Sequence, residues 1–321
     1  MEIYTVMISN NTITDNSGPW HDLDVSHWAP TKQSLHLYAQ MLGKMRLALS
    51  PPQPNWMFTP LYLSARGLTT GPMPCSASSI ESVLDVFDSA IEIFKSDGRS
   101  RKVSLLPART IAEVYADISA ALAELNVSCY ISPVPQEVPD TTPLHEDRRL
   151  RDYDQDAVLR WFQTNTAIAG IFERWRSRFF GRSGIQLWWG AFDLALILFS
   201  GKHVAPPTDR GYLMKYDLDA ELMNVGLFLG DEKNTPFFYG YIYPEPSGAQ
   251  SLPIRPATAS WSAALHEWVL PYQDVRSSAD PAATIRAFID AIYEQCFDAA
   301  GWDKESLTYD APTLVLREAA R

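Results

Sequence analysis

Basic residues are too few in this chain for it to hold a polyanion by charge. Lys and Arg number 27 against 38 Asp and Glu, giving a formal net charge of −11 and a pI near 5.0. Non-specific nucleic-acid binding and attraction to an anionic membrane face both need a basic surface, so neither is expected. Cysteine is also scarce. Cys75, Cys129 and Cys296 are odd in number, far apart and without a CxxC pair, which fits reduced thiols in a cytoplasm better than a disulfide framework. The six histidines are scattered, with no HxxxH, HExxH or HxH spacing, so no local metal motif is present. GxxxxGK[ST], GxGxxG and GxSxG are missing as well, which removes the phosphate-cradling loops and the nucleophile elbow. No obligatory metal or nucleotide cofactor is therefore expected. The longest apolar stretch, "GIQLWWGAFDLALILFSG" over residues 184–201, is interrupted by Gln186 and Asp193. Its unbroken part falls short of the roughly 20 residues a membrane-crossing helix needs. The first residues lack the basic start and apolar run of a signal peptide.

What is present is a chain of 321 residues, 46% hydrophobic and 12% aromatic, enough for one large core or two fused halves. Leu35, Tyr38, Leu42, Met45 and Leu49 form a helical stripe, with Ser34 as N-cap and Pro51-Pro52 as stop. "PLYLSARGLTT" reads as a strand ending in a turn, and residues 79–106 read as strands with a hairpin turn at "SDGRS". A helix over 110–125 and a short strand "VSCYISPV" follow. Residues 133–156 are rich in proline and charge and read as a linker. Beyond them come a helix from residue 157, the apolar strand, a loop over 202–220, the strands "MNVGLFLG", "PFFYGYIYP" and "SWSAALHEWVLP", and a closing helix. The pattern specifies an α+β fold, mostly antiparallel sheet with packed helices, in two pseudo-repeated halves. The expected divisions are an N-terminal arm (1–30), a first half (31–132), the linker (133–156), a second half (157–305) and a tail (306–321).

Several long blocks, among them "QMLGKMRLALSPP", "PLYLSARGLTTGPMP", "WWGAFDLALILFSGK", "YGYIYPEPSG" and "HEWVLPY", resemble a widespread bacterial family of uncharacterised proteins that carry a domain of unknown function. The resemblance spans roughly residues 19 to 305 and implies no particular activity. Family members often have histidines where this chain has Asn55, Phe58 and Gln186, so chemistry relying on those histidines does not carry over.

The residues that could carry chemistry follow from strand parity. If 185–199 is one strand, Asp193 shares a face with Trp189, while Gln186 and Trp188 lie on the other. Tyr239, Tyr241, Tyr243 and Glu245 form a one-sided row. Glu267 stands among apolar neighbours, and His266 points the opposite way. Lys44, Arg46 and Arg66 are the cations that could answer these acids. A buried carboxylate is costly unless it is paired or protonated. Asp193 is therefore expected at a pocket wall beside Trp189, within reach of Arg46 or Arg66. In the enzyme reading, Asp193 or Glu267 is the general acid or base and Arg46 or Arg66 holds an anionic substrate group. Lys44, Gln186, Trp188, Trp189, Tyr239, Tyr241, Tyr243, Glu245 and His266 shape the pocket. An isomerase, cyclase, lyase or hydrolase would suit. The competing readings are a non-catalytic small-molecule binding protein, an interaction module using the tyrosine row, and plain structural ion pairs. Cys75 is the one cysteine placed to be a nucleophile, but nothing near it in sequence lowers its pKa.

Overall fold

The computed structural model describes residues 18–207, 211–231 and 233–309. Most of the expected N-terminal arm (1–17) and C-terminal tail (310–321) lies outside the described residues. Residues 18–30 pack against the body: Leu23 and Trp28 are buried, and the Tyr272 hydroxyl donates to the His21 carbonyl at 2.8 Å.

Helix α1 (Ala29–Leu49) starts earlier than Ser34 because Pro30, with its fixed φ, occupies the first turn. Ser34 sits inside the helix, its hydroxyl donating back to the Pro30 carbonyl. Every residue from Ser34 to Arg46 is buried, so α1 runs through the interior rather than along one side of it.

After α1 the chain builds an antiparallel meander of β1 (Tyr62–Ser64), β2 (Gly67–Thr69), β3 (Met73–Cys75), β4 (Ser78–Asp85), β5 (Ala90–Lys95) and β6 (Ser100–Ser104). The order is β1-β2-β4-β5-β6, with β3 also pairing β4. "SARG" is thus the turn of a β1–β2 hairpin rather than a strand end, and "SDGRS" turns β5 into β6 as expected. Helix α2 (Ile111–Glu124) opens with a reciprocal capping box between Thr110 and Glu113. "VSCYISPV" forms no strand. Its carbonyls are answered by side chains instead, Tyr115 Oη on Ile131 O and Lys44 Nζ on Ser132 O and Val134 O. The proline-rich segment has neither helix nor strand up to residue 154, after which the next helix begins, yet it is packed: Leu144 is buried, and so is the Asp147–Arg151 ion pair.

Beyond that segment the chain again runs through a helix, an antiparallel sheet and further helices. Helix α3 (Gln155–Arg176) precedes β7 (Arg182–Trp188) and β8 (Asp193–His203). Helix α4 (Gly211–Asp217) follows, then β9 (Ala220–Phe228), β10 (Phe237–Tyr243), β11 (Ser260–Ser262) and β12 (Glu267–Pro271). Helices α5 (Tyr272–Arg276), α6 (Pro281–Asp298) and α7 (Lys304–Leu307) end the described chain. Strand order is β11-β12-β10-β9-β8-β7. The outer β11 has no counterpart in the first sheet. An antiparallel bridge between Leu61 and Leu187, with both backbone hydrogen bonds made, links the two sheets at their β1 and β7 edges.

Two presumed single strands are hairpins. Trp188 pairs directly with Asp193, and Phe192, at φ 60°, donates its N–H to Trp188 O, so "WWGAFD" is a tight turn. Likewise Trp261 pairs with Trp268 across a turn that holds His266 at φ 58°. Alternation along the sequence therefore does not relate Trp189 to Asp193.

One face of the second sheet packs on α3 and α6 through residues such as Leu196, Val225, Phe238 and Leu270. The other carries a separate small cluster of Ile197, Leu218 and Leu222 and opens onto a cavity. Among the described residues, no helix is long and apolar enough to cross a membrane.

Candidate functional site

The cavity, about 910 Å³, is floored by the open face of β8, β9, β10 and β12. Register determines what shows there. Ala195, Gly226 and Tyr239 stand side by side across β8, β9 and β10, with Ile197, Asn224 and Tyr241 as the next row. Asp193 lies two residues before Ala195 and so on the same face. Gly226 separates the Tyr239 and Asp193 strands. A Cβ there would meet Tyr239 Oη and Leu194 O at 2.5 Å, so only glycine lets the tyrosine reach across β9. The Tyr239 hydroxyl accordingly donates a short hydrogen bond to Asp193 Oδ2. Glu267 enters from the start of β12.

The opposite walls come from irregular chain. The 188–193 turn supplies Trp188 and Trp189, the proline-rich segment supplies Gln136 and Glu137, and α4 supplies Leu213, Met214 and Asp217. Trp56 and Thr59 close the remaining side.

These loops are held by a row of buried polar residues on α1, spaced one turn apart. His36 Nε2 donates to Trp189 O and Gly190 O, both at 2.9 Å, and its ring stacks on Phe192 at 5.0 Å. Gln40 exchanges two hydrogen bonds with the Gln136 backbone, at 2.7 and 2.9 Å. Lys44 holds residues 132–134, and Arg46 donates to Phe58 O and Thr70 O. Gly43 on the same helix leaves room for the Trp189 indole, whose Nε1 donates to Thr59 O at 3.0 Å. Backbone without a strand partner must find other donors, and this row provides them.

Several sequence expectations are corrected here. Arg46 and Lys44 are spent on carbonyls, and Arg66 pairs with Asp85 and Asp88 on the first sheet. Among the described residues no arginine answers Asp193; its partner is the Tyr239 phenol. The expected anion-holding cations are thus absent from the site. Gln186 lies behind the wall, its Nε2 on Met57 Sδ. Tyr243 continues the tyrosine row but does not line the cavity. Glu245 and His266 form an exposed hydrogen-bonded pair, 2.9 Å apart, outside the cavity. His36 is buried as well. Of the expected site residues, Asp193, Glu267, Trp188, Trp189, Tyr239 and Tyr241 converge on the cavity. Sequence reasoning missed Glu137, Asp217, Trp56 and Asn224. Glu137 and Asp217 sat in segments read as linker and loop. Asn224 was recoverable in principle, since it lies two residues from Gly226 on the same strand face.

The carboxyls are shifted upward, chiefly by burial, and among the described residues no cation offsets the shift. Burial raises Asp193 from 3.8 to about 7, against the opposing hydrogen bond from Tyr239, with the charges of Glu137 and Asp217 adding to the rise. Burial raises Glu267 from 4.5 to about 7, helped by Asp193. Asp217 rises to about 6, through burial and then the charge of Asp219. Lost hydration also raises Glu137, at the rim. Burial pushes His36 the other way, to about 4, so it stands neutral with its proton on the turn carbonyls.

A metal would need converging ligands. Among the described residues, one acidic trio, Asp85, Asp88 and Glu92, is close enough, but Arg66 and Lys102 already neutralise it. Of Asn55, Phe58 and Gln186, where the resemblance implies histidine, Gln186 lies against Met57. Here Asn55 Nδ2 donates to Asp217 O and Asp219 Oδ1.

A family of unknown function (DUF5996) matches residues 20–309, nearly the whole described chain. The chain belongs to that family. No curated protein and no solved structure matches it. The sequence blocks that carry the resemblance supply Gln40, Lys44 and Arg46 of α1, the 188–193 turn and the Tyr239–Tyr241 row, and with them part of the cavity wall.

Proposed function

We propose that the cavity is the active site of a small-molecule enzyme working by acid/base chemistry, of isomerase, cyclase, lyase or hydrolase type, with no obligatory metal or nucleotide cofactor. The observation that carries this reading is that Asp193 and Glu267, both raised to about 7, face one open cavity in which, among the described residues, no cation pairs with them. Near neutral pH such carboxyls are divided between acid and base forms, the condition in which one can deliver a proton while the other takes one. Perturbed acids in a cleft are candidates for this role. Tyr239 fixes the Asp193 carboxyl, and the tryptophans exclude water and accept an apolar body.

A purely structural role for Asp193 would call for an ion pair, and its partner is a tyrosine hydroxyl. An interaction surface built on the tyrosine row would need that row exposed, and Tyr239 and Tyr241 line the cavity instead. Both observations favour the enzyme. A reducing cytoplasm is the compartment that suits the three free thiols.

The test is to incubate the protein with a cell metabolite extract in heavy water and follow it by mass spectrometry. Wild type should deplete or deuterate at least one metabolite. Asp193→Asn and Glu267→Gln should slow that change by about a hundredfold or more while remaining folded. An extract left unaltered by the wild-type protein would contradict the enzyme reading.

A further inference from the structure

We propose that the cavity's ligand is an organic cation, an alkyl- or arylammonium compound whose nitrogen sits among Asp193, Glu267 and Asp217 and whose apolar body lies against the tryptophans. The inference rests on the reading of this cavity as a ligand site and adds the charge of what enters it.

Four observations converge. First, among the described residues no Lys, Arg or His lines the cavity, while four carboxyl groups from four separate segments do: Asp193, Glu267, Asp217 and Glu137. Second, Lys44, Arg46 and Arg66, the cations considered for this role, already have carbonyl or carboxylate partners. Third, Asn224, only 8% exposed, lines the same cavity, and its Oδ1 has no hydrogen-bond partner although its Nδ2 donates to Tyr241 Oη. An unpaired buried acceptor costs about 1 to 3 kcal/mol, so a ligand carrying N–H donors gains by satisfying it. Fourth, Trp56, Trp188, Trp189 and Tyr241 offer ring surfaces, which attract a cation through the ring quadrupole. An anion would meet carboxylates and acceptors with nothing to balance it. A neutral ligand would leave the acidic charge unanswered. The volume suits a ligand of one or two rings rather than a bare metal ion or a polymer.

Binding and chemistry then connect. An ammonium placed beside the carboxyls favours their ionised forms, so entry of the ligand expels protons at neutral pH. The carboxyl farther from the nitrogen keeps its proton for the reaction.

Three probes of matched shape and different charge test this: 2-phenylethylamine, 2-phenylethanol and 3-phenylpropanoate, titrated at pH 7.5 and followed by backbone NMR shifts and tryptophan fluorescence. The ammonium should bind at the cavity at least about tenfold more tightly than the carboxylate, with the alcohol between. Asp217→Asn and Glu267→Gln should each erode that preference, and calorimetry in buffers of different ionisation enthalpy should show proton release. If the alcohol or the carboxylate binds the cavity as tightly as the ammonium, the cation assignment is wrong and the ligand-site reading stands. If the ammonium's preference survives both substitutions, it binds elsewhere and the assignment is again wrong. If no probe shifts cavity resonances up to its solubility limit, the ligand-site reading fails together with the inference.

Discussion

Asp193→Asn should make the protein more stable at alkaline pH, by about 2 to 4 kcal/mol at pH 8.5, with the gain shrinking as pH falls toward 4. The sign follows from the direction of the shift. The carboxyl titrates at 3.8 in an unfolded chain and at about 7 in the folded one, so the folded state holds the proton more tightly. Its contribution is fully present below 3.8 and is lost as pH rises through 7. Above that, the wild type keeps an ionised carboxylate 7% exposed, with no cation beside it among the described residues. Asparagine mimics the neutral acid at every pH, and its carbonyl can still accept from Tyr239. Had Asp193 been salt-bridged to Arg46 or Arg66, the same substitution would have stranded a charge and cost about 3 to 5 kcal/mol. Denaturant melts of both proteins between pH 4 and 8.5 distinguish the cases by sign. Lower stability of the variant at pH 8.5 would mean that a cation has been overlooked.

His36→Ala should be among the most damaging single changes, costing about 3 kcal/mol or more. It leaves the Trp189 and Gly190 carbonyls without their donor, removes a ring stacked on Phe192, and opens a void beneath the turn that carries Trp188, Trp189 and Asp193. His36→Gln, which keeps a donor, should recover part of the loss. The pH dependence is opposite to that of Asp193. The imidazole titrates at 6.5 when unfolded and at about 4 when folded, so its contribution is present above 6.5 and is lost as pH falls through 4. His36→Gln should therefore flatten the acid side of the stability profile, while Asp193→Asn flattens the alkaline side. A His36→Ala cost under about 1 kcal/mol would show that the turn holds itself.

These two residues also mark how far the sequence could be read. Strands, helices and their antiparallel order are written in local periodicity, turn residues and caps. Hence α1, α2, α3, α6 and the β4–β6 meander were all legible. The 188–193 turn was not. Its residues are as apolar as the strands beside it, and no Asn-Gly or Asp-Gly announces it; Phe192 takes the positive φ that glycine usually supplies. The parity argument that joined Asp193 to Trp189 therefore failed, although both residues do line the cavity. It succeeded for Tyr239 and Tyr241, which lie on one uninterrupted strand. The roles of Lys44 and Arg46 were misread because charge attracts the eye to carboxylates. What they bind are backbone carbonyls of segments without regular structure, which leave no signature in sequence. The burial of His36 is equally unmarked, since a helical stripe suggests one solvated face whereas α1 is buried on every side from Ser34 to Arg46.

The most direct test of the account is a pH titration of the side-chain carboxyl carbons by NMR, with Asp193→Asn and Glu267→Gln used to assign the signals. Asp193 and Glu267 should titrate within about one unit of 7. Midpoints near the ordinary 3.8 and 4.5 would mean that both acids are already ionised at neutral pH, and would contradict an active site built on protonated carboxyls.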